Sequence, residues 1–396
     1  MSGSRRKPGC LDPFVDDYRT HLLGLGYTPG TVRGMLKVLG QLGRWMDAEG
    51  VNPGEVHTGD IESFLAARRA EDRRRIATRG ELRQLLVFLR TAGAMRDELP
   101  RELTPVEKLV QEYRNWLVDT RGLAEGTVLR YVTLAERFLG ERASVNELAA
   151  LSGAEVSAFL LGECGRLSVG SAKGRVAELR SLLRFLHLRG LTDSALAEAV
   201  VPVASWRETE IPHTMARLDI ERLLASCDRD TPEGARDFAI LILAARLGLR
   251  SIEVARLELG DIDWRRAQIT VRGKARRLDL LPLATDVGEA LAGYLSCRRP
   301  HPSRRVFLTL RAPLRPIRAD LVGDVVQRAC LRAGVAHVGA HRLRHALATA
   351  MLAEGASLID ISQVLRHADL ATTAIYAKVD LGRLRQVAQP WPGVLR

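Results

Sequence analysis

Ahead of residue 201 the chain repeats itself, and this duplication fixes what half of the molecule can be. In the first copy Tyr18-Arg19 is followed by Gly30-Thr31-Val32, then by Glu81-Leu82-Arg83, Leu85-Leu86, Phe88-Leu89 and Gly93. In the second copy Tyr113-Arg114 is followed by Gly126-Thr127-Val128, then by Glu178-Leu179-Arg180, Leu182-Leu183, Phe185-Leu186 and Gly190. The offset drifts only from 95 to 97 residues. Solenoid units run to ~20–50 residues, so a repeat this long is a duplicated domain. Apolar residues at three-to-four spacing, few β-branched runs and glycines between segments make each copy a bundle of about four helices. The first domain is expected over 1–102 and the second over 103–200, with Glu98–Pro105 as the join. Val201–Thr214 mixes prolines with charges, lacks periodicity and reads as a linker, which leaves 215–396 as a further domain.

Charge narrows the partner. A net charge of +12 over 396 residues and a pI near 10.0 call for a polyanion. Arginine dominates over lysine, which favours forked contacts to phosphate over point charges. The run Ala66–Arg75 suits phosphate tracking and equally well a solvated helix face. Cys10, Cys164, Cys227, Cys297 and Cys330 lie far apart without a C-x-x-C pair, which argues against a disulfide framework or zinc ribbon and fits a reducing compartment. No apolar run follows the first cations and none reaches the ~18 residues of a membrane span, so a soluble, intracellular chain without membrane partners is expected.

The chemistry gathers near the far end. His341 and Arg344 are three apart and share a face if the segment is helical, while Arg342 and His345 are expected to point elsewhere. Leu343, Leu347, Ala350 and Met351 would anchor that helix, and Gly355 suits its stop. Ser357 and Asp360 form an N-cap pair opening a second helix, with Leu358, Ile361, Val364 and Leu365 inward, that delivers His367. Thr372 or Thr373 is placed to start a third helix carrying Tyr376. Upstream, Leu218–Cys227 and Ala235–Gly248 read as helices. Gln268–Val271 and Leu278–Leu283 read as strands about a turn at Gly273-Lys274, and Arg318–Gly334 as another helix.

The order H-x-L-R-H from His341, L-x-H ending at His367, and a tyrosine nine residues later resembles the second conserved box of the tyrosine recombinases, the phage integrase family. Leu247–Leu257, closing on Asp261-Ile262-Asp263, resembles the first box. The match departs from the usual pattern at Arg342, Ala346 and Ala275, and at Arg366, which stands where glycine is usual. The resemblance implies a mainly α chain: two helical N-terminal DNA-binding domains of the core-binding, SAM-like type, then a mixed α+β catalytic domain with a small antiparallel sheet. It assigns catalysis to Arg250, Lys274, His341, Arg344, His367 and the nucleophile Tyr376, with Glu253 as the acidic residue after the first arginine. Arg166, Lys173, Arg175, Arg180 and Arg366 are expected to contact DNA.

The implied activity is site-specific recombination through a 3′-phosphotyrosyl link and a four-way junction, with no cofactor, metal or ATP. Its partners would be double-stranded DNA sites and further copies of the chain, as dimers per site and a tetramer overall, with room for a partner recombinase; its place would be the cytoplasm, at the nucleoid. Each residue alone has a plainer reading: a tyrosine at a helix end is usually core, a lysine in a hairpin usually solvated, and Arg250 is able to cap a helix through its dipole. A zinc site from His341, His345 and His367 is disfavoured by the surrounding cations and the absence of a nearby acid or thiol. Two alternatives remain at this stage, a type IB topoisomerase and a catalytically quiet DNA-binding protein of the same fold.

Overall fold

The computed structural model describes residues 8–70, 79–95, 102–140, 145–192, 195–203, 215–273, 277–367 and Thr373. Packing divides the chain into two compact units, one joining Met1–Asp97 with Glu210–Arg396 and the other formed by Glu98–Thr209.

The duplication is visible in the packing. Helices Val15–Gly24, Pro29–Glu49, Thr58–Ala70 and Arg79–Thr91 of the first copy answer to Pro105–Asn115, Glu125–Gly140, Gly153–Cys164 and Val169–Leu188 of the second. The Gly-Thr-Val triplets lie in the first turn of the second helix in both copies. Tyr18 and Tyr113 are both fully buried. Tyr18 packs on Phe88 with ring centroids 4.9 Å apart, and Tyr113 on Phe185 at 5.1 Å. Offset, tilted rings of this kind add to what their buried area contributes. Gly93 and Gly190 end the last helix of each copy with φ of 71° and 67°, values at which a side chain is strained.

The described residues from 215 on form a helical body with a small sheet. Thr231 caps the Pro232–Arg246 helix by accepting from the Gly234 amide, with Pro232 at the first helical position. Ala239 to Ala245 are all buried, as expected of a helix that is apolar all round. It packs with Thr285–Cys297 and Ala319–Ala333 in one core. The strands Ile262–Asp263, Gln268–Arg272 and Leu278–Pro282 are antiparallel in that order, with Val271 opposite Asp279. Ile269 and Val271 face the core. Within this unit the first helical copy touches the body where the Leu314 amide donates to the Leu25 carbonyl at 2.8 Å. Among the described residues no helix is long and apolar enough to cross a membrane.

Candidate active site

The His341–Ala353 helix begins where the sequence places it, and Leu343, Ala346, Ala348 and Leu352 bury its inner face. Arg344 shares that face and is only 1% exposed. Its two terminal nitrogens donate to the carbonyls of Gly248 and Leu365. Leu365 ends the Leu358–Leu365 helix, whose start carries the expected box: Ser357 accepts from the Asp360 amide at 3.1 Å and Asp360 from the Ser357 amide at 3.1 Å. Arg344 thus satisfies a helix-end carbonyl that would otherwise lack a partner. In this conformation its fork lies on protein carbonyls and away from solvent.

Gly248 turns the chain after the Pro232–Arg246 helix with φ of 57°. A Cβ there would lie 2.8 Å from a Leu365 methyl and 3.1 Å from one of Leu347. Gly248→Ala should therefore cost at least about 1–2 kcal/mol from the left-handed backbone alone, and more from the contact. A lowered thermal midpoint is the expected readout; an unchanged one would mean that the turn has another shape.

That turn delivers Arg250, which stands at the start of the short Ser251–Arg256 helix. Glu253 accepts from the Arg250 amide at 2.9 Å through one oxygen and from the Arg250 guanidinium at 2.6 Å through the other. A second nitrogen of Arg250 donates to the Arg366 carbonyl at 3.3 Å. The Arg250 side chain keeps 35% exposure, and the Glu253 side chain 1%. Burial by itself would raise the Glu253 pKa; the Arg250 amide, Arg366 and Arg250 outweigh it and hold the carboxylate below its ordinary range.

Three histidines adjoin these arginines. His341 lies on the exposed first turn, and its ring meets that of His345 edge-on at 4.4 Å. His345 therefore does not point elsewhere: residues four apart on a helix are neighbours. Surrounding protein, then Arg344, Arg250 and Arg342, lowers the His341 pKa. His345 is pushed down to about 4 by burial, His341, Arg342 and Arg344. His367 is also pushed down to about 4, by burial and then by Arg344, Arg250, His341 and His345. His345 and His367 are accordingly neutral near pH 7. His367 Nδ1 lies 2.7 Å from the hydroxyl of buried Thr373. If that hydroxyl donates, Nδ1 is the acceptor and Nε2 carries the proton of the neutral ring. The sequence reading gave Thr373 no such part; its six-residue spacing from His367 was the available signal.

Arg366 corrects an expectation. Its side chain is 2% exposed and pairs with Glu253 at 3.0 Å, so it is not a DNA contact in this structure. Its backbone explains the turn inward: φ is 55° and ψ 48°, the left-handed conformation that a glycine supplies most easily. Lys274 and Tyr376 lie outside the described residues. Among the described residues no group of His, Cys, Asp and Glu is arranged to hold a metal ion.

In the second helical copy, Arg166 is exposed. Arg175 pairs with Glu178 at 2.7 Å and Glu163 at 3.6 Å, and Arg180 donates to the Val200 carbonyl at 2.7 Å. Lys173 is half-buried. Arg130 and Arg137, which the sequence reading passed over, join the same acids at 3.2 and 3.0 Å.

Arg250, Arg344 and the three histidines thus gather in one place, a set of donors suited to an anion such as a phosphate, and comparison with known proteins places the chain further. Residues 213–383 match the model described as the phage integrase family. A Sinorhizobium fredii strain NGR234 protein described as an integrase/recombinase, y4rA, is 40% identical over 98% of this chain and 97% of its own length. The tyrosine recombinase XerD of Mycobacterium tuberculosis is 31% identical over 72% of this chain and 96% of its own. The crystal structure of XerH with its palindromic difH substrate, a post-cleavage complex, superposes with a TM-score of 0.53 at 19% identity, covering 73% of this chain and 97% of that one. A lambda integrase tetramer on a Holliday junction gives 0.52 at 16% identity, covering 77% and 87%. The chain belongs to the phage integrase family, the tyrosine-type site-specific DNA recombinases.

Proposed function

We propose that this recombinase cuts and rejoins DNA through Tyr376, with Arg250, Arg344, His341 and His367 holding the scissile phosphate and Lys274 as the acid. The observation that carries this reading is the mutual approach of Arg250, Arg344, His341 and His367, felt in the depressed pKa of His367. A phosphodiester resists attack because its oxygens repel the nucleophile and its alkoxide leaves poorly. Cations on the non-bridging oxygens answer the first difficulty, and a proton for the leaving oxygen answers the second. The Tyr376 oxygen bonds to phosphorus, the bond to the 5′ oxygen breaks, and Lys274 protonates that oxygen. His341, neutral and beside the arginines, takes the phenolic proton. The 3′-phosphotyrosyl link keeps the bond energy, and the 5′ hydroxyl of a second strand reverses the step.

Double-stranded DNA sites are the partners, bound by further copies of the chain, two to a site and four to a synapse. The relatives named above are integrases and recombinases, which favours strand exchange over topoisomerase-type relaxation. The second helical copy, with Arg166 exposed and Arg130, Arg137 and Arg175 ringing Glu163 and Glu178, presents the DNA-contacting face. The test is a library of nicked duplexes tiled across the DNA flanking the gene. The expected results are a covalent protein–DNA adduct on a specific duplex and a four-way junction when two copies of that duplex are supplied. Relaxation of supercoils by monomers with no junction, or no adduct on any duplex, would reject the reading.

A further inference from the structure

Arg366 is the residue that the catalytic roles above leave unused, although it reaches further into the site than most. Its guanidinium is buried and donates in four directions: to Glu253 at 3.0 Å, to the carbonyls of Val364 at 3.0 Å and Gly248 at 3.3 Å, and to that of Leu247 at 3.4 Å. Its own carbonyl accepts from Arg250. Arg250 is therefore fixed at two points by one residue, directly through a backbone carbonyl and indirectly through Glu253. The cost of this arrangement is considerable. An arginine occupies a left-handed position, a charged group is desolvated, and three guanidiniums gather about one carboxylate and the Gly248 carbonyl. Arg250 and Arg366 share the one carboxylate of Glu253, each on its own oxygen, so Glu253 does not fully neutralise Arg250.

We propose that the Arg366 guanidinium is a positioning group for catalysis: by taking half of Glu253, it holds the Arg250 fork in register for the scissile phosphate and leaves more of its charge for that phosphate. This rests on the function proposed above. Without the guanidinium, Glu253 would have Arg250 as its sole cation among these contacts, and the pair would swing together. Glycine suits a φ of 55°, so Arg366→Gly removes the guanidinium without straining the backbone.

The experiment is single-turnover cleavage of the nicked duplex by the full chain, with affinity for the uncut duplex measured beside it. Arg366→Gly should slow cleavage about 10- to 100-fold while affinity stays within about twofold, the pattern of a misplaced group and not of a lost binding contact. Arg366→Lys, which keeps a cation on Glu253 but loses the fork, should recover part of the rate. In a Glu253→Gln background the Arg366→Gly change should add little, since both act through one bond. Should Arg366→Gly fail to fold, the Lys variant carries the test, with a rate loss exceeding any affinity loss as the expected result. Wild-type cleavage with an unaffected Arg366→Gly rate would overturn this inference alone, as would losses of rate and affinity in step with lost folded protein, or full additivity with Glu253→Gln. No adduct from the wild type would remove the proposed function and this inference with it.

Discussion

Tyr376→Phe should yield no covalent adduct on the nicked duplex, while the affinity for the uncut duplex is retained. The expectation is all-or-none because, in the proposed reaction, the phenolic oxygen is the one atom that bonds to phosphorus, and phenylalanine has none to offer. Lost positioning leaves a residual rate, whereas a lost nucleophile leaves no covalent product to detect. The ordinary tyrosine pKa of ~10 also makes the environment part of the nucleophile, since neighbouring cations favour the phenolate. Denaturing electrophoresis of protein with end-labelled duplex reads the result directly. An adduct that survives the substitution would move the nucleophile elsewhere in the chain.

The second large effect is at Arg344. Arg344→Ala should reduce cleavage about 100- to 1000-fold, the range for removing one preorganised donor from a developing negative charge. It should also lower stability, because the Leu365 carbonyl loses its Arg344 donor in a buried setting and the Gly248 carbonyl keeps only that of Arg366. Each buried carbonyl left unsatisfied costs about 1–3 kcal/mol. The two consequences separate by measurement: thermal unfolding reports the carbonyls, and the cleavage rate of the folded fraction reports the phosphate. Arg344 is 1% exposed here, so in the proposed reaction it has to become accessible to the phosphate. A variant as stable as the wild type would contradict the described contacts; a folded variant that cleaves normally would remove Arg344 from the chemistry.

Much of this was legible in the residues, and the reasons differ by element. The duplicated bundles followed from an offset of 95 to 97 residues, and the Tyr–Phe pairs at their centres are its physical content. The Ser357–Asp360 box announced its helix, because capping is a local interaction over three residues. The hairpin followed from alternation on either side of a glycine turn. What escaped depends on long-range direction. Spacing places Arg344 on a face but does not say that carbonyls from residues 248 and 365 stand opposite it. Arg366 looked like a cation free for DNA; the replaced glycine was a sign of left-handed backbone, and that backbone, with Glu253 waiting inside, turns the side chain inward. His345 was within reach of correct placement, since its four-residue distance from His341 already implied contact.

The twin bundles have a consequence of another kind. Each keeps the same aromatic keystone, Tyr18 on Phe88 and Tyr113 on Phe185, yet their outer surfaces have parted company. In the second, Arg130 pairs with buried Glu178 and Arg137 with half-buried Glu163; in the first, at the corresponding offset of 96, Gln41 stands in place of Arg137 and the buried Gly34 in place of Arg130. The interior behaves as a mould cast twice, and the exterior as two separate inscriptions. The two bundles thus share an interior and differ outside it, and substitutions on the solvent side of either leave the mould undisturbed.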